Sequence, residues 1–123
     1  MNNKGWVTGY YIDSGNVNHG FVRDPGGAIT AFDAPDAGSG SGQGTLAFEI
    51  NNHGDAEGWY LDAANVYHGF LRAKNGTITE FDAPGAGTGS LQGTQSFGLN
   101  NYSVTTGWDT DSSGVIHGFI RTP

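Results

Sequence analysis

The sequence predicts an all-β fold assembled from repeated four-stranded units, and three observations carry that expectation. The chain aligns with itself at a period of 49 residues without a gap. Each period holds four short stretches of alternating apolar and small residues, separated by hairpin chemistry. Glycine supplies 22 of the 123 residues, about 18% against an average near 7%. Glycine at that level is costly inside helices. Aromatic residues at 12% oppose disorder, and the absence of cysteine excludes a disulfide scaffold. The glycines have no period of three, so collagen is excluded as well.

Residues 1–49 written over 50–98 give 27 identities in 49 positions, and residues 99–123 give 10 in 25 against 50–74. The chain therefore reads as one repeat domain over 1–123, with repeat one at 1–49, repeat two at 50–98 and half of a third at 99–123. Within each repeat the first strand is expected at 6–12, 56–61 and 104–109. Ser14-Gly15-Asn16 and its counterparts turn the chain into a second strand at 17–23, 66–72 and 115–121. Pro25-Gly26-Gly27 and Asn75-Gly76 turn it again into a third, at 28–33 and 77–82. A Gly/Ala/Ser-rich loop follows at 35–44 and 84–93. The fourth strand is expected at 45–50 and 94–99, and Asn51-Asn52-His53-Gly54 turns the chain back into the next repeat.

Four strands in 40–50 residues is the size of one β-propeller blade. Blades cover one another's faces around an axis, and about 4–8 are needed to close. Two and a half repeats cannot close alone, so the sequence points to propeller-like blades closed by a homo-oligomer, a dimer first of all. A trefoil fits less well, because it needs three equal repeats. A flat meander or solenoid would leave exposed edges.

The words His68-Gly69-Phe70-Leu71-Arg72, Phe81-Asp82-Ala83-Pro84-Gly85-Ala86 and Ile50-Asn51-Asn52 resemble the HAF-type extracellular repeats of bacteria. The resemblance covers essentially the whole chain, with Gly where the name-giving motif has Ala. It implies a secreted or cell-surface setting and no particular activity. The opening Met1-Asn2-Asn3-Lys4 has no apolar stretch of the kind a signal peptide carries.

Charge narrows the partners further. Five Lys+Arg against twelve Asp+Glu give a net charge of −7. The cations form no run, which disfavours nucleic acid and anionic membrane surfaces. No nucleophile elbow, phosphate loop or zinc spacing is present. Asp109-Thr110-Asp111-Ser112-Ser113-Gly114 has the look of half a calcium loop, but no distal Glu follows. The sequence thus gives no catalytic, metal or cofactor site.

Asp and His recur six residues apart, and the spacing pairs Asp13 with His19, Asp62 with His68 and Asp111 with His117 across a hairpin. A carboxylate that fixes an imidazole is a common supporting device. Asp33 and Asp82 read as turn formers, Arg23, Arg72 and Arg121 as stacking or ion-pairing groups, and Phe21, Phe32 and Phe48 as core. The column Tyr10, Trp59 and Trp108, beside Asp13, Asn16, Asp62 and Asn65, has the residue types of a sugar site. Aromatic faces suit C–H surfaces, and carboxylates and amides suit hydroxyls. The expected function is a non-catalytic, multivalent, lectin-like carbohydrate-binding module. The alternative is a structural or protein-interaction repeat without a small ligand.

Overall fold

Aspartate and asparagine side chains set the turns from which the strands run. Asp13 Oδ1 accepts from Gly15 N–H at 2.8 Å and Val17 N–H at 3.0 Å. Asp62 and Asp111 repeat this turn with the same atoms. Each such turn needs one residue in the left-handed region, supplied by Asn16 (φ 63°), Asn65 (φ 61°) and Gly114 (φ 79°). The computed structural model, which describes all residues 1–123, is all-β with no helix. Its strands are β1 Val7–Ile12, β2 Asn18–Arg23, β3 Ile29–Phe32, β4 Gly44–Ile50, β5 Ala56–Leu61, β6 Tyr67–Arg72, β7 Ile78–Phe81, β8 Gly93–Leu99, β9 Thr105–Thr110 and β10 Ile116–Arg121. Every strand lies within one residue of the stretch expected from alternation.

All ten strands belong to one open mixed sheet. Strands β4 to β7 form an antiparallel meander, with β4 on β5, β5 on β6 and β6 on β7. Around it, β1–β3 repeat its last three strands and β8–β10 its first three. The fourth strand of each sequence repeat therefore pairs with the first strand of the next, and the sheet unit straddles the repeat boundary. Successive units are joined by single parallel bridges, Asn18 to Gly44 and Tyr67 to Gly93.

The units also stack face on face. In β5 and β6, one face carries Glu57, Trp59, Leu61, Tyr67 and Leu71, and the other carries Ala56, Tyr60, His68, Phe70 and Arg72. The second face meets the preceding unit. There Phe70, Tyr60, Ala47 and Ala34 form one buried cluster, and Phe32 lies edge-on to Phe70 at 5.8 Å. The Arg72 guanidinium lies 5.0 Å from the Phe32 ring, and Arg121 lies 4.6 Å from Phe81. These are cation–π contacts.

Two devices hold neighbouring units in register. The first is a ladder of asparagines one repeat apart. Asn2 Nδ2 donates to the Asn51 carbonyl at 2.7 Å, and Asn51 Nδ2 to the Asn100 carbonyl at 3.2 Å. Asn3 N–H donates to Asn52 Oδ1, and Asn52 N–H to Asn101 Oδ1, both at 2.9 Å. The second is the long loop. Gln43 Oε1 accepts from Gly40 N–H inside its own loop, while Nε2 donates to Ala63 O and Asn65 Oδ1 of the next unit. Gln92 makes the corresponding bonds to Gly89 and Ser112.

The placement of Phe48 differs from the core position expected for it. It sits where the register shifts between Ala47 and Glu49, and it is 37% exposed. The extra residue of a bulge is turned out of the alternation. Phe97 occupies the matching bulge between Ser96 and Gly98.

Candidate functional site

Two groups of recurring residues qualify as sites, and the structure places them on different parts of each unit. The first is the histidine clamp. His19 Nε2 lies 3.1 Å from Asp13 Oδ2, His68 Nε2 3.1 Å from Asp62 Oδ2, and His117 Nε2 2.9 Å from Asp111 Oδ2. A second carboxylate joins in two of the units. His19 Nδ1 is 3.0 Å from Asp33 Oδ1, and His68 Nδ1 is 2.8 Å from Asp82 Oδ1. An imidazolium donating from both nitrogens satisfies both carboxylates. Tyr11 and Tyr60 stack on these rings at 5.2 and 5.0 Å.

Electrostatics follow from this geometry. Bonds to Asp13 and Asp33 raise the His19 pKa above the ordinary imidazole value. For His68, burial pulls the value down, and the bonds to Asp62 and Asp82 outweigh it, so the net shift is upward. Asp62 is shifted downward, because the Val66 N–H and His68 outweigh its own burial. The imidazolium contribution to stability is complete below the unfolded histidine value and is lost as pH rises through the raised folded value. The carboxylate contribution is present above the unfolded value and is lost as pH falls through the lowered folded one. With both nitrogens committed, His19 and His68 have no lone pair free for a metal or a substrate proton. No group of three or more His, Cys, Asp or Glu side chains is placed to hold a metal ion. Asp62→Ala should cost roughly 1–3 kcal/mol, by orphaning two turn N–H groups and one imidazole nitrogen. Thermal melting at pH 6 checks this, and a wild-type midpoint would refute it.

The second group is a row of rings. Tyr10 lies edge-on to Phe48 at 5.9 Å, and Phe48 lies 5.7 Å from Trp59 and 5.4 Å from Phe97. Phe97 stacks on Trp108 at 4.3 Å. The row thus crosses all three units, and the bulge residues Phe48 and Phe97 bridge the expected column Tyr10, Trp59, Trp108. Tyr10 is 42% exposed and Trp108 40% exposed, while Trp59 is half-buried. Trp108 Nε1 donates to Gln95 Oε1 at 3.1 Å.

The polar members of the sequence-derived set do not join this row. Asp13 and Asp62 spend their carboxylates on turns and histidines. Asn16 Nδ2 donates to Ser41 Oγ at 2.9 Å, and Asn65 Oδ1 accepts from Gln43. Alternation explains the separation. Tyr10 and Trp59 point to one face, and Tyr11, Tyr60 and the clamp point to the other.

One further group had no signal in the repeat pattern, because it breaks the repeat. Glu57 is fully buried (0% exposed) where the other units carry Thr8 and Thr106. Ser96 Oγ–H donates to its Oε2, and Oε1 has no partner. Burial, assisted by Glu49 and opposed by the Ser96 bond, pushes its pKa up to about 8. Comparison with family models, with curated proteins and with solved structures finds no match to this chain.

Proposed function

We propose that this chain is a non-catalytic repeat module that binds carbohydrate along its aromatic row. The observation that carries the proposal is the continuity of that row across three units, with rings open to solvent along it. Clustered exposed rings mark binding surfaces more often than single ones do. A row with one ring group per unit suits an extended, repeating ligand, whose weak contacts add through effective concentration. The polar repeat positions that chemistry would need are committed to turns and clamps, which favours binding over catalysis. The HAF-type resemblance supports a secreted or cell-surface setting.

Isothermal titration with neutral oligosaccharides of glucose, mannose and N-acetylglucosamine tests the proposal. Saturable binding that Tyr10→Ala weakens about tenfold or more is the expected outcome. Tyr10 is the informative position, because the next unit already flanks it through Phe48. Absence of binding by the assembled protein would leave the structural reading. That alternative has its own support in the 4.3 Å stack of Phe97 on Trp108 and in the enclosure of Trp59.

The same proposal includes closure by a second copy, as propeller-like blades. Unit one leaves Tyr11 and Ile29 exposed on the face that units two and three cover by stacking, and unit three leaves Ile116 and Ile120 exposed on the complementary face. A head-to-tail pair joins these faces twice, and a twofold axis relates the two junctions. The mass in solution should be that of two chains, and dilution should lower the melting midpoint. A concentration-independent melt at the mass of one chain would exclude the dimer.

A further inference from the structure

The two junctions between units are built differently. Between units one and two the packed residues are apolar. Val22, Ile50 and Ala56 form one buried cluster there, and Ala47 belongs to another. Thr8 satisfies its hydroxyl inside unit one, by donating to the Phe21 carbonyl at 2.8 Å. One repeat later the matching positions hold Leu71, Leu99, Thr105 and Ser96, and Glu57 stands in the place of Thr8. Three polar side chains therefore enter the junction between units two and three: Glu57, Ser96 and Thr105. All three are fully buried.

Their hydrogen bonding is incomplete. The bond from Ser96 on β8 to Glu57 on β5 crosses the junction and uses one carboxyl oxygen, while Oε1 has no partner. Thr105 Oγ1 has none, and neither has Trp59 Nε1, on the same strand face as Glu57. In unit three the Trp108 indole finds Gln95 as its acceptor, but β4 sets Leu46 opposite Trp59 at the matching place. Atoms left unpartnered in a closed junction gain water when it opens. Glu57 gains most, because it also ionises. Glu49 is the charged group facing it, from β4, and its carboxylate accepts from Leu99 N–H at 2.8 Å. From β6 the residue opposite is apolar Leu71, and from β8 it is Ser96. No Lys, Arg or His lies close enough to offset the charge. Burial and Glu49, opposed by the Ser96 bond, keep the carboxyl protonated up to about pH 8.

We infer that the junction between units two and three is a pH-controlled gate with Glu57 as its pin: the protonated carboxyl keeps β8–β10 docked on β4–β7, and the carboxylate releases them. The release is a sub-global opening, in which units one and two stay packed through their apolar junction. Opening parts Phe48 and Trp59 from Phe97, whose ring lies 5.4 and 6.5 Å from theirs, and so divides the aromatic row. The gate stands whether or not that row binds a sugar. Opening frees one proton wherever the carboxyl is protonated when closed and ionised when open. The opening constant therefore rises about tenfold per pH unit from about pH 5 to about pH 8, and is flat above that.

Hydrogen exchange of the full chain, read by mass spectrometry as protection factors from pH 5 to 9, tests the gate. Undocked, β8–β10 lose the packing on which their ladder depends. Protection across β8 and β9 should therefore lie at least about tenfold below that across β4 and β5. It should also fall about tenfold per pH unit up to pH 8 and then level off. Glu57→Gln should flatten that profile and hold protection at its acid value. Glu57→Thr, with the residue that the other two units carry, should flatten it as well, so the test survives if one variant fails to fold. A flat profile in the wild-type chain, or an undiminished slope in either folded variant, would overturn the proposal. Equal protection of β8–β9 and β4–β5 at every pH would overturn it too, because the proton would then act on the whole fold and not on one junction.

Discussion

Glu57→Gln should stabilise the protein by up to about 5 kcal/mol at pH 8 and hardly at all at pH 4. The cause is burial of a carboxyl whose pKa rises from the ordinary 4.5 to about 8. Such a group binds its proton more tightly in the folded state. Its contribution is complete below pH 4.5 and drains away as pH rises toward 8, because the unfolded chain ionises first. Glutamine keeps the acceptor for Ser96 Oγ–H and has no charge to expose. Denaturant titrations of both proteins from pH 4 to 9 should diverge steadily up to about pH 8 and then run parallel. Parallel curves throughout would mean that Glu57 is solvated in solution. The histidine clamps push in the same direction at higher pH, so the wild-type protein should be most stable on the acid side of neutrality.

Gly58→Ala should abolish folding or cost at least about 4 kcal/mol. A Cβ there would lie 2.0 Å from the Leu46 carbonyl oxygen and 2.9 Å from Ala47 Cα, both backbone atoms of the bulged strand β4. The β4–β5 ladder would have to part, and with it the packing of Ala47 against Phe70. Gly107 meets Gln95 and Ser96 in the same way. Gly9 is the internal control. No strand lies beyond β1, and its Cβ would meet only the Phe21 ring, at 3.0 Å. Gly9→Ala should therefore cost far less, since a ring can shift and a ladder cannot. Circular dichroism melts of the three variants decide the matter. Equal losses at positions 9 and 58 would refute the role assigned to the bulge.

The contrast between Gly9 and Gly58 also shows how far the sequence could be read. Alternation and turn chemistry located each strand, because both are local properties. Tyr10, Trp59 and Trp108 lie in one row as their spacing suggested, since a period of 49 carries each to the same place on its unit. What the sequence hid was the break inside each repeat. The short turn at 51–54 lets β4 pair with β5, but nothing local says that β4 does not also pair with β3. The bulge that turns Phe48 out of the core follows from the β4–β5 pairing, and so does the Leu46 carbonyl that covers Gly58. Asp33 and Asp82 were legible as turn residues only, because their second partner lies across a strand pair. Glu57 was illegible for a different reason. It departs from the repeat, and only the stacking of unit three against it shows that it is buried.

The offset between sequence period and sheet unit bears on how such a chain can grow. Each unit is completed by a strand that the neighbouring repeat encodes, so no residue marks a natural seam. Copying any contiguous 49 residues in tandem would reproduce the asparagine ladder, the Gln43-type latch and one full face-to-face junction, wherever the copy began. Lengthening therefore comes in fixed increments and is indifferent to phase. An insertion of 48 or 50 residues would put the ladder bonds across that one junction a residue out of step. Array length would then be free to drift in whole steps, while each step is held to its length by the Asn2–Asn51–Asn100 rungs.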